Sequence, residues 1–271
     1  MKSLLCRAAI TTAVLSFFAK PALCQTTVLY DGASNVTPSD VSWGWSFAGA
    51  GSVTPPGGSG FTGLSTTAND AFQAGYARNT PTALFASLGW NLRFDMQVTA
   101  EDHSNPTGDK NADGLSDRGG VSVIALGADH LGVELTFWNN EVWTQEQSPL
   151  FVHDTVLDRA FMNTTTTGTG SAGLIRYDLL VNGSSYRLYV NGSSTAAMTG
   201  TLKNYTGGPA IYNTPNFLFF GDDTTSARGS FNLSRVAITS APEPSFWSML
   251  LTSVIGLGGL LAYRRKSART N

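Results

Sequence analysis

Between Gln25 and Ser240 apolar residues recur at every second position in short runs, and turn residues separate the runs. Leu92, Phe94, Met96 and Val98 form one such run; Ile175, Tyr177, Leu179 and Val181, with Leu174 before them, form another; Tyr186, Leu188 and Val190 form a third. A period of two places alternate side chains on one face, so this spacing predicts strands and not helices. Asn182-Gly183 and Asn191-Gly192 follow the second and third runs, and both residue types tolerate the positive φ of a tight hairpin. Val121 to Leu126, Val133 to Trp138 and Phe217 to Phe220 are nearly continuous in apolar residues, as strands covered on both faces are. Roughly a dozen strands without internal repeats predict an all-β, two-sheet jelly-roll sandwich over residues 25–240 rather than a propeller or solenoid. The polar stretches 50–60 and 162–173 read as long loops, and Trp43 and Trp45, two apart, as neighbours on one face of a strand.

The two ends follow different rules. Lys2 and Arg7 precede an apolar run from Ala8 to Ala19, and Ala22 stands two residues before Cys24. A basic start, a short apolar segment and small residues near a cut predict a secretory signal peptide over 1–24. At the other end Pro242-Glu243-Pro244 precedes an apolar stretch, 246–263, and then Arg264-Arg265-Lys266. That stretch would extend about 27 Å as a helix, close to the apolar thickness of a bilayer. The basic cluster would hold its end in the cytoplasm. The order of tripeptide, span and Arg-rich tail over 241–271 resembles the PEP-CTERM sorting signal of exported bacterial proteins. The resemblance implies an exosortase as processing partner, with the chain anchored in the inner membrane first and then passed to the cell surface or extracellular matrix.

Charge supports this division. Only 13% of the residues are charged, and the net charge is −2. Residues 25–240 hold 10 of the 17 Lys and Arg but 18 of the 19 Asp and Glu, a net charge of −8. An acidic domain without a basic patch excludes a nucleic-acid partner. Cys6 and Cys24 both fall in the signal region, so the mature chain is expected to fold without a disulfide.

Tyr177-Asp178-Leu179-Leu180-Val181, a turn, and then Tyr186 to Gly192 with its Val-Asn-Gly ending resemble the paired strands of concanavalin A-like lectin and laminin-G-like domains. Phe219-Phe220-Gly221-Asp222-Asp223 and Phe231 to Ile238 are similar to their closing strands. Laminarinase-type glucanases share that fold and use a Glu-x-Asp-x-x-Glu strand. Here Glu134, Thr136 and Glu141 depart from the pattern, because Thr136 replaces the Asp and Glu141 is wrongly spaced.

Two further groups of residues carry chemistry. Asp109, Asn111, Asp113, the Leu115 carbonyl and Asp117 stand at positions one, three, five, seven and nine of a calcium loop with Gly114 at six, though Gly120 replaces the bidentate Glu at twelve. Trp138 and Trp143 flank Asn139-Asn140, and aromatic faces beside amides suit a sugar ring. No His or Cys spacing forms a metal or nucleophile motif. The expectation is therefore a noncatalytic exported surface or matrix protein. A calcium-assisted carbohydrate-binding lectin-like module, meeting extracellular polysaccharide, is the alternative, and a glucanase-like enzyme the weaker one.

Overall fold

The computed structural model describes residues 25–147, 150–153, 156–166, 168 and 173–240. The expected signal peptide and the whole sorting tail, with its apolar span, lie outside the described residues.

The alternating runs form two sheets. Among the described residues one has eight strands, in the order β14 (Met198–Thr201), β13 (Ser185–Val190), β12 (Ile175–Asn182), β6 (Trp90–Asp102), β17 (Arg228–Ser240), β4 (Thr62–Ser65) and β3 (Ser52–Thr54), with β1 (Gln25–Asp31) also paired to β17. The other has nine: β10 (Leu150–His153), β9 (Glu141–Gln147), β8 (Leu131–Trp138), β7 (Ser122–Leu126), β16 (Phe217–Asp222), β5 (Ala74–Asn79) and β2 (Ser46–Gly49), with β11 (Arg159–Phe161) on β9 and β15 (Lys203–Asn204) on β8. The strands that end each path, β14, β3, β10 and β2, have three or four residues each.

Leu92, Phe94, Met96 and Val98 face inward from β6 and meet Val133, Leu135 and Phe137 from β8. Phe94 stacks on Tyr177 at 5.0 Å and stands edge-on to Phe137 and Phe220 of the opposite sheet at 6.3 and 5.3 Å, each pair adding roughly 1 kcal/mol beyond area burial. In β17 the register jumps at Ser234, so Phe231 and Leu233 face the core before the jump and Val236 and Ile238 after it. The extra residue lets one long strand keep its apolar face inward. The Asn-Gly expectation holds after β13, where Asn191 and Gly192 have φ of 52° and 73°.

Two expectations are corrected. Residues 50–60 are not all loop, since Ser52–Thr54 forms an edge strand against β4. Trp43 and Trp45 do not share a strand face: the Asp40 carboxylate accepts from the N–H and hydroxyl of Ser42, and the Trp43 N–H donates to the Asp40 carbonyl, making a turn. Trp45 is instead buried with its indole N–H on the Leu29 carbonyl.

The described helices are short 3₁₀ turns, and none is long and apolar enough to cross a membrane. The outer face of the nine-stranded sheet is also covered: Ile124, Leu126, Phe217 and Phe219 pack under Tyr205 and Tyr212. This second layer explains why its strands are apolar on both faces.

Candidate functional site

Beside that second layer the outer face opens into a cleft of about 620 Å³, within the usual range for a small-molecule site. Phe151, Pro209, Ile211 and Phe219 give it an apolar wall. Its floor is polar. Glu134 and Thr136, two apart in β8, both face outward because Val133, Leu135 and Phe137 face the core. Ser122 from β7, Gln145 from β9 and Asp223 just past β16 join them.

Tyr212 links the acids. Its hydroxyl bonds Glu134 Oε2 and lies 3.1 Å from Asp223 Oδ2, while Ser122 Oγ donates to Glu134 Oε1 at 3.3 Å. Burial raises the Glu134 carboxyl well above the ordinary carboxylate range, and the nearby Asp223 charge raises it further. Asp223 is raised too, chiefly by burial, and so is the Tyr212 phenol. Burial thus pushes both acids on this phenol toward the protonated form, Glu134 the further of the two.

Neighbouring groups are fixed by the backbone. Arg118 donates through Nη1 to the carbonyls of Asp117, at 2.6 Å, and of Phe151. Phe151 has φ of 67°, a left-handed conformation that costs of order 1 kcal/mol for such a side chain. Asp222 accepts from the Thr66 hydroxyl and the Thr224 N–H, and burial raises its carboxyl to about 8. Gln145 is 3% exposed, and its Oε1 has no hydrogen-bond partner among the described residues.

Of the residues expected to bind ligands only Asp117 lines this cleft, and the others are placed elsewhere. Trp143 is 1% exposed and Trp138 8%. Trp138 is stacked on His103 at 4.0 Å, both Trp rings pack on His153, and Asn139 and Asn140 form the exposed β8–β9 turn. Trp143 fills space between elements, while Trp138 lines a second cleft with His103, Asn105 and Leu115. Glu141 also lies away from the cleft, buried against His153 Nε2 at 2.9 Å and Arg159 Nη2 at 2.5 Å. Of the near-glucanase triplet, only Glu134 and Thr136 line the cleft.

Asp109, Asn111, Asp113, Leu115 and Asp117 do share a loop, but its oxygens are committed to its own amides. Asp109 accepts from Ala112, Asp113 and Gly114, Asn111 from Asp113, and Asp113 from the Leu115 N–H. Asp117 accepts from Lys110, Asn111 and His153. Among the described residues no three acidic or imidazole side chains gather as a metal site. As placed, these contacts close the loop on itself.

Tyr212, Asp223, Gln145, Arg118 and Phe151 were not singled out from sequence. They come from five separate segments, and the one local signal was the acid pair Asp222-Asp223 after an apolar strand.

No protein-family model matches the sequence, and no curated protein is matched by it. Among solved structures the chain is similar to a carbohydrate esterase from Shiga toxin-encoding bacteriophage phi24B, with 12% identity, a TM-score of 0.47 and coverage of 80% of this chain and 100% of that one. It is also similar to a Bacillus subtilis protein of unknown function with a galectin-like fold (10%, 0.45, 82% and 100%) and to the metal-free carbohydrate recognition domain of Emp46p (8%, 0.45, 78% and 94%). Family 7 alginate lyase A1-II′ matches at 10% identity and a TM-score of 0.37, over 68% of this chain and 79% of that one. The expectation of a noncatalytic chain is corrected accordingly. Enzymes stand among the matched structures, and the incomplete glucanase motif had hidden a pair of linked acids that no short motif encodes.

Proposed function

We propose that the chain is an exported carbohydrate-binding protein, a concanavalin A-like jelly roll whose ligand occupies the cleft on the nine-stranded sheet. The observation that carries this reading is the buried Gln145 carboxamide oxygen, left without a partner beside an apolar wall. An unsatisfied buried acceptor costs about 1–3 kcal/mol, and a sugar hydroxyl supplies the missing donor while its CH face lies on the half-buried Phe151. In the same reading the signal peptide exports the chain, the span at 246–263 holds it in the membrane, and an exosortase passes it to the surface or matrix.

Affinity electrophoresis of the full chain through gels containing laminarin, xylan or galactomannan tests the ligand. At least one gel should retard it, and Gln145→Leu should weaken retardation by about tenfold, the equivalent of one hydrogen bond of about 1.4 kcal/mol. Unchanged retardation in Gln145→Leu and in Phe151→Ala would move the ligand out of this cleft.

A further inference from the structure

We infer that the cleft is a hydrolytic centre for neutral glycans, with Glu134 as proton donor and Asp223 as nucleophile. The inference rests on the carbohydrate reading of the same cleft and adds a reaction to it.

Geometry comes first. Glu134 and Asp223 both reach one phenolic oxygen, so their carboxyl oxygens stand closer than about 6 Å. That upper limit on their nearest oxygens brings the acids toward the shorter separation of a double displacement through a glycosyl-enzyme, about 5–5.5 Å, rather than the roughly 6.5–9.5 Å that direct attack by water needs. The acids are also unequal. Glu134 is enclosed at the cleft floor with both oxygens hydrogen-bonded, while Asp223 keeps some exposure. Burial pushes both carboxyls up, Glu134 further than Asp223, so Glu134 is the one that keeps its proton to higher pH. The unpartnered Gln145 marks where a ligand hydroxyl completes the site.

In the first step the Glu134 proton passes to the glycosidic oxygen, the bond from that oxygen to the anomeric carbon breaks with its electron pair going to the oxygen, and Asp223 bonds the anomeric carbon. In the second, ionised Glu134 takes a proton from water, the water oxygen bonds the anomeric carbon, and Asp223 leaves as carboxylate. Tyr212 touches both acids and is a positioning residue.

Charge selects the substrate class. With Glu134 and Asp222 protonated, Asp117 and Asp223 face the cleft as carboxylates against one lining cation, Arg118, whose Nη1 is committed to two backbone carbonyls. A polyuronate would bring further carboxylates beside those two, whereas a neutral chain brings none.

The test measures reducing ends released by the full chain from laminarin, xylan, galactomannan, alginate and polygalacturonate, beside gel retardation by each. Release from a neutral polysaccharide is expected, with the first product keeping its anomeric configuration by NMR. Glu134→Gln and Asp223→Asn should each lose about 100-fold or more while circular dichroism and retardation persist. Tyr212→Phe should shift the pH profile of the remaining activity, against a background of Arg118, Tyr205 and Asp222 around the pair. Retardation without release by the wild type would overturn the reaction and leave the binding reading intact. Full activity in either acid variant, an inverted product, or cleavage confined to the polyuronates would each overturn the assignment. Neither retardation nor release on any polysaccharide would overturn both readings.

Discussion

Asp222 shows what burying an acid does to a fold. In the folded chain its carboxyl keeps its proton up to about pH 8, whereas an unfolded Asp ionises near 3.9. Between those values the folded state holds the extra proton, so stability falls as pH rises through that window. The melting temperature of the wild type should drop between about pH 4 and pH 8, and Asp222→Asn, which cannot ionise, should lose part of that drop; equal drops would place the titration elsewhere. Trp143 gives a second contrast. Because its ring is enclosed by Trp138 and His153, Trp143→Ala should destabilise by about 3–5 kcal/mol in urea unfolding, while Asn140→Ala in the exposed turn should leave the midpoint unchanged. Both residues had been read as sugar contacts. Their types suit that chemistry, but a residue type does not state which side chains the rest of the chain will cover, and here His153 covers Trp143 while Asn140 stays exposed. Glu134 was legible as an outward strand position; its partner Tyr212 became visible only once the chain was folded, 78 residues on.

The strands were the legible elements, because period two is imposed by backbone geometry alone. β6, β12 and β13 fall where the alternation is strict, and β7, β8 and β16 where it fails for lack of a solvent face. Short edge elements such as β3 were missed, since three residues carry too little pattern. Glycine positions within the strands add a constraint that composition hides. A Cβ at Gly221 would stand 2.3 Å from the Ala74 carbonyl oxygen and 2.5 Å from Gly75 Cα. Backbone cannot yield as a side chain can, so Gly221→Ala should cost about 1–3 kcal/mol, read as a lowered urea midpoint; an unchanged midpoint would mean that β5 and β16 separate freely. For the 109–117 loop, whose oxygens already accept its own amides, millimolar calcium should leave the melting temperature unchanged, and a clear rise would restore the metal reading.

At the scale of the molecule the proposed export route makes its own prediction. In the native host, replacing Pro242 and Pro244 by Ala should leave unprocessed chain in the inner-membrane fraction, while the wild type reaches the surface or medium; identical fractionation would sever the tripeptide from sorting. The acidic middle, at −8, repels its copies only over a Debye length of about 8 Å at physiological salt. At shorter range the strands that end each sheet path matter more, since they have just three or four residues. A neighbouring copy meeting such an end finds a row of amides too short to template a continuing ladder. Strand β1 is the exception, seven residues long and paired among the described residues only to β17. Copies brought close together are therefore kept from zipping at the four short ends, and β1 is the edge along which a ladder has room to continue.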